Sequence, residues 1–178
     1  MKLSSKSKNR IELLDYIAEG ISTPEVFRTI NYKNQSEDKI KQFIYPHLVD
    51  SLTEWVMQKK EFSRNLAKEK AKSMLKWEGN VNTTVNNMQF MGTANRPDMV
   101  VEANGLRIAI EFKKGTNGSD LRSGFGQSMI YSTVYDFVLY MFIDTTPDSR
   151  IANARTGIAE QKFVDDLWNN FNVKFVIV

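Results

Sequence analysis

The chain has 178 residues, with 42% apolar and 25% charged side chains and a net charge of +3, values that suit one ordinary globular domain and are compatible with a polyanionic partner. It has no cysteine and one histidine, His47, which excludes a disulfide framework, a thiolate metal site, a multi-histidine zinc centre and any catalytic triad not served by His47. The basic start, MKLSSKSKNR, is followed by no apolar core, and no apolar run approaches the roughly 18 residues of a membrane span, so the expectation is a soluble, cytoplasmic protein with no membrane partner.

The first half reads as helices. NRIELLDYIAEG carries Ile11, Leu14, Ile17 and Ala18 at helical spacing and stops at Gly20; STPEVFRTIN opens with a Ser-Thr cap and a proline in its first turn. These two are read as packing, being too plain for a helix-turn-helix. From Ser36 a long helix, SEDKIKQFIYPHLVDSLTEWVMQ, begins with acids in its first turn, and Pro46 is expected to kink or divide it. His47 in this region reads as structural. EFSRNLAKEKAKSMLKW is a further helix. Seven basic residues fall between Lys59 and Lys76 against Glu61 and Glu69, which is a solvated face unless something nearby acts on phosphate.

After Gly79 the pattern changes. VNTTVNNMQFMG is β-branched and alternating, as a strand is. RPDMVVEANGLRIAIEFKKG follows, then a helix over SDLRSGFGQSMIYSTVYD despite its glycines, a buried strand FVLYMFID, a helix GIAEQKFVDDLWNNF and a closing strand VKFVIV. The expected fold class is α/β (α+β), a mixed central sheet flanked by helices after an N-terminal helical region. All of it forms one domain, residues 1–178, with 1–35 as a helical extension and 36–178 as the core.

Asn104-Gly105 is a strong hairpin signal, because a type I′ turn needs positive φ at both central residues. A two-residue turn there pairs Glu102 with Arg107, Val101 with Ile108, Met99 with Ile110 and Asp98 with Glu111. Period-two alternation then gives a core face of Met99, Val101, Leu106, Ile108, Ile110 and Phe112. The other face carries Asp98, Val100, Glu102, Arg107, Ala109, Glu111 and Lys113. Opposed carboxylates repel, and two readings of this pair stay open. In one, Lys113 neutralises both acids in a surface salt bridge. In the other, a divalent cation such as Mg²⁺ does so, with Lys113 beside it to hold water or stabilise charge at phosphorus, which is the chemistry of phosphodiester hydrolysis. Lys114 points to the opposite face, toward solvent or a phosphate. TNGSDLRSGFG is rich in loop formers, and its glycines would let Arg122 and Lys114 approach a phosphate backbone.

Pro97-Asp98 and Glu111-Phe112-Lys113, carried on one hairpin and followed by a helix and a strand, resemble the signature of the PD-(D/E)XK nuclease superfamily over roughly residues 36–144. The resemblance implies a restriction-endonuclease-like fold and a Mg²⁺-dependent nuclease (Mn²⁺ substituting), probed first as a DNA endonuclease. It implies Asp98, Glu111 and the Phe112 carbonyl as metal ligands and Lys113 as the catalytic lysine. SEDKIKQFIYPHLVDSL resembles the opening helix of the nuclease domain in type I restriction motor subunits, which implies Glu37 at the metal; an acid suiting a helix N-terminus is the other reading. GQSMIYS resembles the Q-x-x-x-Y element of helicase-associated exonucleases, which implies Gln127 and Tyr131 at the site and the nucleic acid; packing is the alternative for the tyrosine. None of the 178 residues reads as the large ATPase domains of the motor subunits, so a motor subunit is not expected. Nucleic acid is thus the expected partner, DNA before RNA, and cutting both strands with one site per chain would favour a homo-dimer or higher oligomer. The rival reading is a catalytically silent module of the same fold that binds nucleic acid or a protein; the presence of all of Asp98, Glu111 and Lys113 counts against it.

Overall fold

A computed structural model describes residues 6–28, 30–79 and 84–178. Four helices come first: α1 (Lys8–Ser22), α2 (Pro24–Arg28), α3 (Glu37–Lys59) and α4 (Arg64–Met74), with a single 3-10 turn at Tyr32–Asn34. Then follow β1 (Leu75–Trp77), β2 (Met88–Phe90), β3 (Thr93–Asn95), β4 (Met99–Ala103), β5 (Leu106–Gly115), α5 (Gly118–Tyr131), β6 (Phe137–Asp144), α6 (Arg150–Ala154), α7 (Ile158–Phe171) and β7 (Val173–Ile177). The central sheet runs β1-β4-β5-β6-β7. Its first two pairings are antiparallel and its last two parallel, so the fold is mixed α/β with helices on both faces. No helix among the described residues is long and apolar enough to cross a membrane.

The β4–β5 hairpin has the register read from its turn. Asn104 and Gly105 have φ of +52° and +76°, and Met99↔Ile110, Val101↔Ile108 and Glu102↔Arg107 are partners. One face of this hairpin joins Leu13, Ile17, Ile40, Ile44, Leu48 and Leu52 of α1 and α3 in the larger core. Helix α1 therefore shares the core of the sheet. The other face is covered as well: Ala109, Val138 and Tyr140 pack with Tyr131 of α5 and Leu167 of α7. A strand buried on both faces has no room for charge except at its end, and the acids stand at the end.

Three local expectations are corrected. Helix α3 runs unbroken through Pro46, whose side and whose neighbour Gln42 face solvent, so water can satisfy the carbonyl that the proline leaves without an amide partner. LKW belongs to a strand: α4 ends at Met74, and β1 follows with no linker, pairing Leu75 with Val101 and Trp77 with Met99. The helix expected over SDLRSGFGQSMIY does form despite its glycines, because Asn117 caps α5 by accepting from the amides of Ser119 (2.8 Å) and Asp120 (3.2 Å). The strand in VNTTVNNMQFMG reduces to β2, with residues 81–83 outside the described set. Helix α6 was not expected. It is tied down by the buried Asp144, which accepts from Thr146 N (2.8 Å), Thr146 Oγ1 (2.7 Å) and Ala152 N (2.9 Å). Burial works against the charge of Asp144, yet these bonds hold its carboxyl below the ordinary range.

Two glycines of α5 test how it packs. A Cβ on Gly124 would lie 2.3 Å from the Tyr140 ring and hydroxyl, and Tyr140 is fully buried with its hydroxyl donated to Leu121 O (3.0 Å). A Cβ on Gly126 meets nothing within 4 Å. Removing a glycine from a helix gains about 0.5–1 kcal/mol, whereas overfilling a packed contact costs about 1–3 kcal/mol. Gly126→Ala should therefore raise Tm and Gly124→Ala lower it, by thermal melts on the two purified variants; equal shifts would contradict this packing of α5 on β6.

Candidate functional site

The backbone of β5 organises the site. On an extended strand the N–H and C=O of one residue leave by the same edge, and successive residues alternate edges. The β4 ladder ends at Met99↔Ile110, so beyond it the edge carrying Phe112 and Lys114 has lost its strand partner. Two carboxylates take the place of that strand. Asp98 Oδ2 accepts from Phe112 N (2.8 Å), and Glu37 Oε2, from the first turn of α3, accepts from Lys114 N (3.0 Å). The Phe112 carbonyl leaves by this same edge, between the two amides. Asp98 itself extends the β4–β1 pairing by one residue, its carbonyl accepting from Glu78 N (3.4 Å).

Glu111 is the third acid. It stands on the α5 side of β5 and is 2% exposed. Burial, then the Asp98 charge, push its carboxyl up to about 8; Lys113 opposes this, and the Glu37 charge adds a smaller push. Lys113 Nζ lies 3.4 Å from Glu111 Oε1 and is a quarter exposed. Glu37, Asp98 and Glu111 thus come from three elements and feel one another, with Lys113 at their open side.

Lys41 completes the cluster and was not anticipated. Its ammonium lies 2.9 Å from Asp98 Oδ1, 3.0 Å from Asp38 Oδ1 and 3.8 Å from Glu37 Oε1. Burial disfavours its charge, but Asp98 above all, with Asp38 and Glu37, holds its pKa well above the ordinary lysine value. The signal was present in the sequence as Glu37 and Lys41 one helical turn apart on the helix that brings Glu37 to the site. A cleft of about 260 Å³ opens here, lined by Asp38, Lys41, Gln42, Trp77, Glu78, Gly79 and Asp98. A larger one, about 460 Å³ between α7 and β7, holds Arg155, Gln161 and Asp165 but none of the candidate residues.

Two of the remaining candidates, Tyr131 and Lys114, behave differently from expectation. Tyr131 is fully buried and donates to Arg96 O (2.8 Å), two residues before Asp98, so it braces the backbone that presents Asp98 and offers no surface to a nucleic acid. Its hydroxyl is pushed well above the ordinary value by burial and then by Glu111 and Asp98, with Gln127 opposing. Gln127 is therefore beside Tyr131, and its buried Oε1 has no hydrogen-bond partner. Lys114 is neither solvent-facing nor free for phosphate: its ammonium donates to Lys33 O (2.8 Å) and Gln35 O (2.6 Å), fixing the segment that leads into α3. Arg122 is exposed on α5. His47 packs its ring against Phe43 at 5.1 Å, consistent with a structural residue.

Comparisons of the chain with protein-family models, curated proteins and solved structures return no match. The donors of the site are hard carboxylate and carbonyl oxygens, the set that Mg²⁺ and Mn²⁺ prefer. Burial is the larger cause of the raised Glu111 pKa, and the like-charge repulsion that adds to it is what a divalent cation would relieve. As arranged, no group of three or more Asp, Glu or His side chains among the described residues closes into a cage, and Lys41 holds one oxygen of Asp98. The donor set fits a divalent ion on condition that Lys41 yields Asp98.

The lysines of the 59–76 run are largely matched by acids: Lys59 with Glu12 (2.7 Å), Arg64 with Glu54 (2.8 Å), Lys72 with Glu69 (2.9 Å) and Lys76 with Glu102 (2.7 Å). Lys60 and Lys70 stand over the ring of Phe62. This pattern favours a solvated face.

The raised Glu111 pKa makes stability depend on pH with a definite sign. Between its ordinary value of 4.5 and about 8 the folded chain retains a proton that the unfolded chain has released. Stability must fall as pH rises through that window. In a chelator, Tm of the wild type should drop more between about pH 5 and about pH 8 than Tm of Glu111→Gln, where the group cannot titrate. Identical pH profiles for the two proteins would show that Glu111 is not held protonated by its surroundings.

Proposed function

We propose that this chain is a divalent-metal-dependent phosphodiesterase, a nuclease acting on DNA. The observation that carries the reading is the meeting of Glu37, Asp98 and Glu111 around the outward edge of Phe112, with Lys113 beside them. Acids gathered at the end of an otherwise apolar sheet cost stability, and a function that uses them is the economical reason to keep them. The motif resemblance around Pro97-Asp98 and Glu111-Phe112-Lys113 supports the same reading.

In this reading Asp98, Glu111, Glu37 and the Phe112 carbonyl hold Mg²⁺. When bound, the ion supplies Lewis-acid stabilisation of charge on phosphate oxygens. Lys113 supplies the mobile part. Its ammonium is steered by Glu111 and is exposed enough to meet a phosphate oxygen or to orient the attacking water, so it acts where negative charge develops. Tyr131 keeps Asp98 in register through Arg96 O. Lys41 balances the charge of Asp98. One site per chain cuts one strand, so cleavage of both strands calls for a second copy. One observation favours the competing reading, a silent binding module: Lys41 already neutralises Asp98, as a fold that had abandoned metal would require.

The two adjacent lysines separate these readings. Lys113 works in the transition state, so Lys113→Ala should lower single-turnover cleavage about 10²–10³-fold while leaving substrate affinity nearly unchanged. Glu111→Ala should abolish Mg²⁺-dependent cleavage. Lys114→Ala should lose stability through its freed backbone partners and only a small part of the rate. Cleavage of duplex, branched and single-stranded substrates in Mg²⁺ and Mn²⁺, with affinity measured alongside, checks all three. No cleavage of any substrate by the wild type supports the silent module, and an inactive Lys114→Ala beside an active Lys113→Ala removes the site.

A further inference from the structure

From Gly79 to Asn95 the chain carries no charged residue, although a quarter of all its residues are charged. The polar side chains of this stretch are amides and hydroxyls, among them Asn86, Asn87, Gln89, Thr93 and Asn95. Part of it, β2 and β3, forms a two-stranded ribbon that belongs to no other sheet. Its register is Met88↔Asn95, Gln89↔Ala94 and Phe90↔Thr93. Alternation puts Met88 and Phe90 on the half-buried face, with Met88 packed against the cluster beneath α5. The opposite face shows solvent Gln89 and Ala94, and extending the register by one pair sets Asn87 against Arg96, both exposed.

The tip is Met91-Gly92, with φ of +48° and +78°, and Met91 is 90% exposed. Methionine is a poor choice for a left-handed turn position that Asn or Gly would occupy freely. Among the described residues nothing covers the side chain in return for that strain.

We propose that this ribbon reads base edges in the major groove of duplex DNA beside the carboxylate cluster. The inference rests on the nuclease reading and names its substrate class. The major groove admits a two-stranded β-ribbon, and the uncharged residues on the outward face match its code: Asn and Gln pair with adenine, and Ala packs on the thymine methyl. A phosphate-tracking surface would need unpaired lysines here, but no lysine lies between Gly79 and Asn95, and Arg96 is paired with Glu78. An apolar protein groove would need more large side chains than the single one at the tip. The root is rigid: Tyr131 holds Arg96 O, and Pro97 is buried against the core. Ala94 is four residues from Asp98, a reach of at most about 14 Å, which spans about four base pairs at 3.4 Å each. The bases read should therefore lie within about four pairs of the cut.

The test is cleavage of a randomised duplex library in Mg²⁺, with the cut ends sequenced, for wild type, Gln89→Ala and Asn87→Ala. The readout is the ratio of sequences among cut products, which does not depend on the overall rate. The wild type should show a base preference confined to about four pairs from the cut, and each variant should lose about tenfold of discrimination at one position. Thermal melts confirm folding, which exposed substitutions leave intact. A wild type that cuts duplex without preference, or variants with an unchanged profile, would overturn the ribbon and leave the nuclease standing. So would cleavage confined to single-stranded DNA, whereas cleavage confined to RNA would overturn both the ribbon and the DNA reading. Failure to cut any nucleic acid removes both.

Discussion

Glu111 is held almost wholly out of water on a strand that is apolar on both faces, within the field of Asp98 and Glu37. That repulsion is the constraint on which the rest of the site depends. Lys113 relieves part of it from the open side, and Lys41 relieves part of it from α3. Burial first, and then the charge of Asp98, push the Glu111 carboxyl up to about 8. The chain carries an unpaid electrostatic cost at one end of its central sheet, and a divalent ion is the simplest species whose arrival would lower it.

The sheet makes the cluster possible by ending unevenly. Strand β5 outruns β4, and its amides at Phe112 and Lys114, beyond the last β4 pair, would be orphaned if the Asp98 and Glu37 carboxylates did not accept from them. The same two groups thus complete the backbone hydrogen bonding and supply negative charge. This double duty explains why α3 must start where it does. Ser36 caps it by accepting from Lys39 N, and Lys114 clamps the chain just before it, so Glu37 is delivered to the strand edge by two independent anchors.

The hairpin was legible because its turn chemistry is local. Asn104-Gly105 sets the register, and register with alternation places Glu111 and Lys113 on one face with Asp98 at their end. The order of the later strands was legible for the same reason, since each apolar run is bounded by turn residues. What escaped depends on tertiary partners. Lys41 contacts Asp98 across 57 positions of sequence, and nothing short-range announces that pair. LKW has no strand signature of its own and becomes β1 only because β4 offers it an edge. Tyr131 had the right spacing from Gln127, but spacing does not reveal burial, and burial turns it from a surface contact into a brace. Lys114 was set on the correct side of its strand, yet its partners, the carbonyls of Lys33 and Gln35, lie in a segment with no pattern to read.

The competition between Lys41 and a divalent ion for Asp98 is where the account is most exposed. A crystal of the protein soaked in Mn²⁺ and measured for anomalous scattering addresses it directly. The account predicts a peak bounded by Asp98, Glu111 and the Phe112 carbonyl, with the Lys41 ammonium moved off Asp98. The absence of a peak there, with the Lys41–Asp98 pair intact at saturating Mn²⁺, would contradict it.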